Sequence, residues 1–335
     1  MKYIVCEKPG LLRLKNKDRP KFRKGFALVK ILRVGICGTD LHAYSGNQAF
    51  FNYPRILGHE LAAQILEIED NKMNIKKGDQ VVIMPYMSCG ECVACENGKT
   101  NCCANIKVIG VHEDGGMQEE ILVREDLLLK SNHLTFEQMA IVEPLAIGAH
   151  AIRRAGLEKN EKIVVVGSGP IGIGIAKLAQ IAGAEVIMLD INDYRLEYAK
   201  KELGVPYVVN VKNNPVEKVK EITNGALATV VFDATGSKGA LESGIKFMAH
   251  GGRYVLVGLS KGDLVFQHPD IHAKESSILC SRNATIEDFE KVMSIIDQFP
   301  TDSFVTHQVA IEDIAIHFDS WVNPDNKVIK AMVYF

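Results

Sequence analysis

The sequence predicts an α/β protein in which a compact, mostly β domain precedes a parallel, doubly wound sheet. Three observations carry this reading. The chain has 335 residues, too many for one ordinary core, so two domains are expected. Up to about His150 the apolar runs are short and broken by Gly, Pro and Asp, as in Val29–Val34, Leu61–Ile68 and Val81–Met84, with the turn signal Lys77-Gly78-Asp79 between them. From about Glu161 the runs become continuous: Ile163–Val166, Val186–Leu189, Val230–Phe232 and Tyr254–Val257.

Helical periodicity separates the first of these runs. Ile171, Ile175, Leu178 and Ala179 share one face, then Leu196, Ala199 and Leu203. Strands that need cover on both faces and alternate with helices form a parallel sheet. The last stretch reads as a helix, Ile286–Gln298, and an apolar strand, Val328–Phe335. Composition assigns it to neither domain.

Bulk properties exclude some partners. Hydrophobic residues at 47% are too many for a disordered chain, and a net charge of −2 gives no broad field for a phosphate backbone or anionic lipid. Neither nucleic acid nor membrane is expected as a partner. Met1–Gly10 lacks a signal-type apolar run, and no run reaches the roughly eighteen apolar residues of a membrane span, so a cytoplasmic protein is expected. Thiols stay reduced there. Cys89, Cys92, Cys95, Cys102 and Cys103 fall within fifteen positions, a crowding that points to metal rather than disulfides.

The run Ile163–Val166 leads into Gly167-Ser168-Gly169-Pro170-Ile171-Gly172 and then an apolar helix, and a second strand ends at Asp190, eighteen residues past Gly172. This is the dinucleotide fingerprint in its full strand–turn–helix context. Gly167 permits the tight turn, Gly169 lets backbone approach a pyrophosphate, and Gly172 lets helix and sheet pack closely. The loop through Pro170 and Ile171 opens the helix, whose N-terminus favours phosphate. Asp190 is placed for ribose hydroxyls and repels a 2′-phosphate, so NAD is expected over NADP. Arg195, close by in sequence, weakens that preference.

Two constellations suit zinc. Cys89-x-x-Cys92-x-x-Cys95 with Cys102 or Cys103 supplies four thiolates for a closed, structural tetrahedral site. The second is dispersed: Cys37 in Cys37-Gly38-Thr39-Asp40-Leu41-His42, His59-Glu60, and Glu143-Pro144. These are ligand types for a catalytic zinc with one open position, yet spacing alone cannot bring them together.

Taken in order, Gly35–His42, Gly58–Glu60, Cys89–Cys103, Glu143–Pro144 and Gly167–Gly172 resemble the landmarks of the zinc-dependent medium-chain dehydrogenase/reductase family along essentially the whole chain. The resemblance implies a GroES-like catalytic domain over 1–150 with a zinc lobe at about 86–104, a Rossmann NAD-binding domain over 151–283, and a return of 284–335 to the first domain. It implies Cys37 and His59 as catalytic-zinc ligands. Glu60 would complete the set as in the sorbitol and threonine dehydrogenase branch, and Glu143 would bind directly or through water. It favours Cys103 as the fourth structural ligand, and it implies a homodimer or homotetramer. Gly46–Phe51, Val108–Gly116 and Ser281–Thr285 resemble a bacterial subgroup, the hexonate 5-dehydrogenases acting on L-galactonate or L-gulonate. Polyol and L-threonine dehydrogenases are the alternatives.

That implies oxidation of a secondary hydroxyl of a small sugar acid. Thr39 would accept the hydroxyl proton and His42 would relay it to solvent through the cofactor ribose, since a hydroxyl alone is a poor base. Tyr44, Asn47, Gln48, Phe51, Arg282 and Asn283 are expected around the substrate, with Arg282 and Asn283 anchoring its carboxylate.

Overall fold

The computed structural model describes residues 1–48 and 51–335; Ala49 and Phe50, inside the Gly46–Phe51 motif, lie outside the described residues. The chain is α/β and splits into two compact units. One comprises Met1–Pro144, Ala284–Ile296 and Thr301–Phe335, the other Leu145–Asn283 and Asp297–Pro300. Among the described residues no helix is long and apolar enough to cross a membrane.

The first unit, GroES-like and mostly β, is built on a seven-stranded sheet. Six strands follow one path: Val305–Ala310, Lys330–Tyr334, Phe26–Ile36, Glu60–Glu67, Gln80–Ile83 and Leu128–Lys130. Glu120–Arg124 pairs with Phe26–Ile36 off that path. Phe26–Ile36 is the axis because Ala27, Val29, Ile31 and Val34 are wholly buried along it. Its antiparallel register sets Gly35 against Glu60 on one side and Met332 on the other. A Cβ on Gly35 would stand 2.0 Å from Glu60 Oε2, so a glycine is what lets that carboxylate lie over the strand.

The second unit is a Rossmann-type sheet of six parallel strands ordered Tyr207–Asn210, Glu185–Asp190, Lys162–Val166, Ala228–Asp233, Met248–Leu256 and Ser277–Cys280. The four continuous apolar runs of the sequence are four of these strands. Val164, Val166, Ile187, Leu189, Val231 and Tyr254 are buried in one cluster with Phe247 and Met248, which explains why the runs lack polar alternation. From Lys162–Val166 the chain winds outward to one edge, then crosses to Ala228–Asp233 and winds to the other. The carboxyl ends of those two central strands therefore mark the topological switch point where such sheets take ligands.

The expected terminal helix is α over Ile286–Ile295 and tightens to a 3₁₀ turn at Ile296–Gln298. The expected last strand spans Lys330–Tyr334 and pairs with the axis strand of the first unit.

Candidate metal centres and dinucleotide loop

Cys37, His59 and Glu60 place one ligand atom each within 4.8 Å of one another. Chain geometry brings them there. Cys37 ends the axis strand and caps the helix Gly38–Tyr44, while His59 and Glu60 open the neighbouring antiparallel strand. Asp40, not singled out in the sequence, ties the two loops together. Its Oδ2 accepts from the Cys37 amide (2.9 Å), its Oδ1 accepts from the Gly58 amide (3.1 Å), and the same Oδ1 lies 3.7 Å from His59 Nδ1.

Two further buried groups bear on this cluster. Lys330, 1% exposed, pairs with both oxygens of the fully buried Glu60 and donates to the Ile36 carbonyl (2.9 Å). Glu143, on the helix Phe136–Ala155, accepts a hydrogen bond from the buried Tyr86 hydroxyl on Oε1, and its buried Oε2 has no protein partner. Glu143 is not among the three groups that converge within 4.8 Å.

The charges fit a cation. Burial pushes the Glu143 carboxyl up to about 7, with Glu60 adding to the push and His59 opposing it. Burial disfavours charge on His59, yet Asp40, Cys37 and Glu143 outweigh it and hold the imidazole well above its ordinary range. Several acidic groups thus bear on one ring, the field a divalent cation would satisfy.

In the lobe, Cys89, Cys92, Cys95 and Cys103 bring their sulfurs within 4.8 Å of one another, whereas Cys102 is exposed and outside the group. The Cys92–Cys95 and Cys89–Cys103 sulfur pairs stand 3.5 Å apart, far beyond a disulfide bond. Amides of Cys89 and Asn105 donate to Cys103 Sγ at 3.3 Å, and amides of Ala104 and Cys95 pull the Cys92 thiol down to about 6. Four sulfurs this close together are a donor set that could hold one zinc ion.

The dinucleotide loop adopts the expected turn. Gly167 has φ +96°, and a Cβ on Gly172 would stand 1.8 Å from the Gly167 carbonyl oxygen. Gly169 caps the helix Pro170–Ile181, with Pro170 in its first turn and Ile171 following. Asp190 Oδ2 accepts from the Ser168 amide (2.5 Å) and hydroxyl (2.7 Å), and Oδ1 from the Asn192 amide (2.8 Å), which fixes the carboxylate beside the loop. Arg195 Nη1 lies 3.8 Å from the place of a Gly169 Cβ, nearer the phosphate turn than its sequence position suggested.

Thr39 and His42 stand three apart on the helix Gly38–Tyr44, on neighbouring positions of one face, Thr39 half-buried and His42 exposed. The expected substrate residues differ in exposure. Tyr44 is buried: its ring packs edge-on against Phe318 at 5.0 Å and its hydroxyl donates to Asp319 at 2.7 Å. Asn47 is exposed, Gln48 and Phe51 are half-buried, and Phe51 packs edge-on against Tyr53 at 4.9 Å. Arg282 is exposed, and Asn283 holds φ +52° where the second unit's main segment ends.

Comparison with known proteins agrees with both units. Residues 23–133 match the alcohol dehydrogenase GroES-like domain, and residues 170–298 match the zinc-binding dehydrogenase family. L-galactonate-5-dehydrogenase of Escherichia coli is 39% identical, covering 100% of this chain and 99% of that one. Sorbitol dehydrogenase of Bacillus subtilis is 31% identical over 100% and 97%. Among solved structures, the alcohol dehydrogenase rspB of Escherichia coli, complexed with NADH, superposes with a TM-score of 0.93 at 28% identity, over 100% and 99% of the two chains.

Replacing Lys330 with Met should leave the buried Glu60 carboxylate without its counter-charge and cost about 3–5 kcal/mol of stability. Urea unfolding measures this, and adding Glu60→Gln should recover much of the loss. Parental stability in Lys330→Met alone would mean that the pair carries no buried charge.

Proposed function

The chain belongs to the zinc-binding alcohol dehydrogenase family, and on that premise we propose that it oxidises the C5 hydroxyl of an L-galactonate- or L-gulonate-type hexonate with NAD as hydride acceptor. The observation that carries this is a half-buried thiol converging within 4.8 Å with a buried imidazole and a buried carboxylate, in a chain 39% identical over its whole length to an L-galactonate-5-dehydrogenase. Sorbitol dehydrogenase is also a full-length relative, at 31%, so a polyol is the alternative substrate.

The donor set suits zinc: Cys37 and His59 would hold it with a carboxylate from Glu60 or Glu143, and the unpartnered Glu143 Oε2 is an acceptor in want of a cation. Bound there, zinc supplies Lewis acidity that makes an alcohol proton acidic near neutral pH. Cys89, Cys92, Cys95 and Cys103 would hold a second, structural zinc. A reducing cytoplasm suits these free thiols.

The remaining work falls to the chain's own residues. Thr39, half-buried beside Cys37, accepts the substrate proton, and His42, exposed on the same helix, passes it to water. Gly167, Gly169 and Gly172 open the turn, and the helix behind Pro170 and Ile171 presents free amides to a pyrophosphate. Asp190, pinned by Ser168 and Asn192, keeps lone pairs for the adenosine ribose. Arg195 lies at the phosphate turn, where a cation favours the dinucleotide. Gln48, Phe51, Arg282 and Asn283 are the substrate candidates, the Arg282 guanidinium matching a hexonate carboxylate.

A homodimer or homotetramer is the assembly proposed. Ser277–Cys280 closes one edge of the six-stranded sheet without a charged residue and with Ile278 exposed, and such an edge invites a second copy. Sedimentation should give a multiple of the chain mass that falls on Ile278→Lys; an unaltered assembly in that variant would remove this edge from the interface.

NADH formation across L-galactonate, L-gulonate, sorbitol and L-threonine tests the substrate. The hexonates should lead in kcat/KM by at least about tenfold, as expected of a site built to pair a charged group. A lead for sorbitol or threonine would overturn the hexonate reading. His42→Ala should slow turnover near neutral pH far more than at alkaline pH, where hydroxide takes the proton directly. An unchanged rate–pH profile would take His42 out of the relay.

A further inference from the structure

We infer that Tyr86 positions Glu143, holding one carboxylate oxygen so that the other is left for a cation beside Cys37 and His59. The inference rests on the zinc reading above.

Tyr86 opens the short strand Tyr86–Met87, just before the cysteine lobe. It is buried, and its ring packs edge-on against Phe289 at 6.3 Å, so the hydroxyl has a fixed place. From there it donates to Glu143 Oε1, while Oε2 is buried with no protein partner. A carboxylate's last torsion is broad unless something holds it. A single neutral donor on one oxygen fixes that torsion and itself brings no positive charge.

Glu60 differs in its counter-charge. The Lys330 ammonium hydrogen-bonds to its Oε1 and lies in ion-pair reach of Oε2, although Oε2 has no hydrogen-bond partner of its own. The two buried glutamates therefore differ in what they can offer. Glu60 is already paired, and Glu143 is oriented and still in need of positive charge. An outer donor that orients a metal-binding group contributes to metal affinity without touching the metal. That is the role assigned to the Tyr86 hydroxyl.

Tyr86→Phe keeps the ring and its packing on Phe289 and removes only the hydroxyl. The measurements are zinc per chain under chelator competition and the visible spectrum of the cobalt(II)-exchanged protein. One of the two metals should be held about 10–100-fold more weakly, with a shifted cobalt band, while the cysteine-lobe metal is retained. In a Glu143→Gln background the same substitution should add nothing further. A parental chelator titration with a parental cobalt spectrum would overturn the role, and so would a full additional loss in the double variant. Should Tyr86→Phe not fold, Glu143→Gln alone decides: parental metal retention there overturns the role. If the parent protein holds only the cysteine-lobe metal, the zinc reading itself fails, and that is seen before any substitution is made.

Discussion

The first unit is organised around the cost of keeping charge away from water. Asp40, Glu60 and Glu143 are each 2% exposed or less, and they sit with the Cys37 thiol around one imidazole. An ionised carboxylate in such surroundings is tolerated only when charge or hydrogen bonds answer it. Each has its own answer: Asp40 the amides of Cys37 and Gly58, Glu60 the Lys330 ammonium, Glu143 the Tyr86 hydroxyl. The sheet exists in the form it does to deliver those partners. Gly35 clears space for one carboxylate, and the strand beside it carries the lysine.

The second unit solves a simpler problem. Its ligand loop needs no buried ion pair, because free amides at a helix start already favour phosphate. What it needs is closeness, and the glycines supply it. A side chain at position 172 would meet the carbonyl of Gly167 at once. Asp190 is held by three donors from its own neighbourhood, so the carboxylate beside the loop is set before any ligand arrives.

How much of this was legible depended on distance along the chain. The parallel sheet announced itself because a strand covered on both faces has no room for polar alternation, as in Ile163–Val166. The cysteine lobe was equally plain, since its sulfurs lie within fifteen positions; only the choice between Cys102 and Cys103 needed more than spacing. Cys37 could be joined to His59 and Glu60 only by family resemblance, because no local pattern links them. Lys330 went unnoticed although a lone lysine amid Val328-Ile329 and Ala331-Met332-Val333 is a weak signal in itself, lysine being seldom buried unless paired. Tyr86 gave no signal, since an aromatic residue near a strand end reads as core. Tyr44 drew attention only by its adjacency to the Cys37–His42 motif, and nothing in the sequence announced its contact with Phe318.

The ion pair between Glu60 and Lys330 spans 270 residues of sequence. A ribosome adding about 5–20 residues per second needs roughly 14–54 seconds to go from one partner to the other. Throughout that interval the growing polypeptide carries an acidic side chain whose lysine has not yet been made, while the whole Rossmann segment emerges. The nascent catalytic sheet must therefore wait, open along the edge that Lys330–Tyr334 will fill, and the nucleotide-binding half has everything it needs to mature ahead of it.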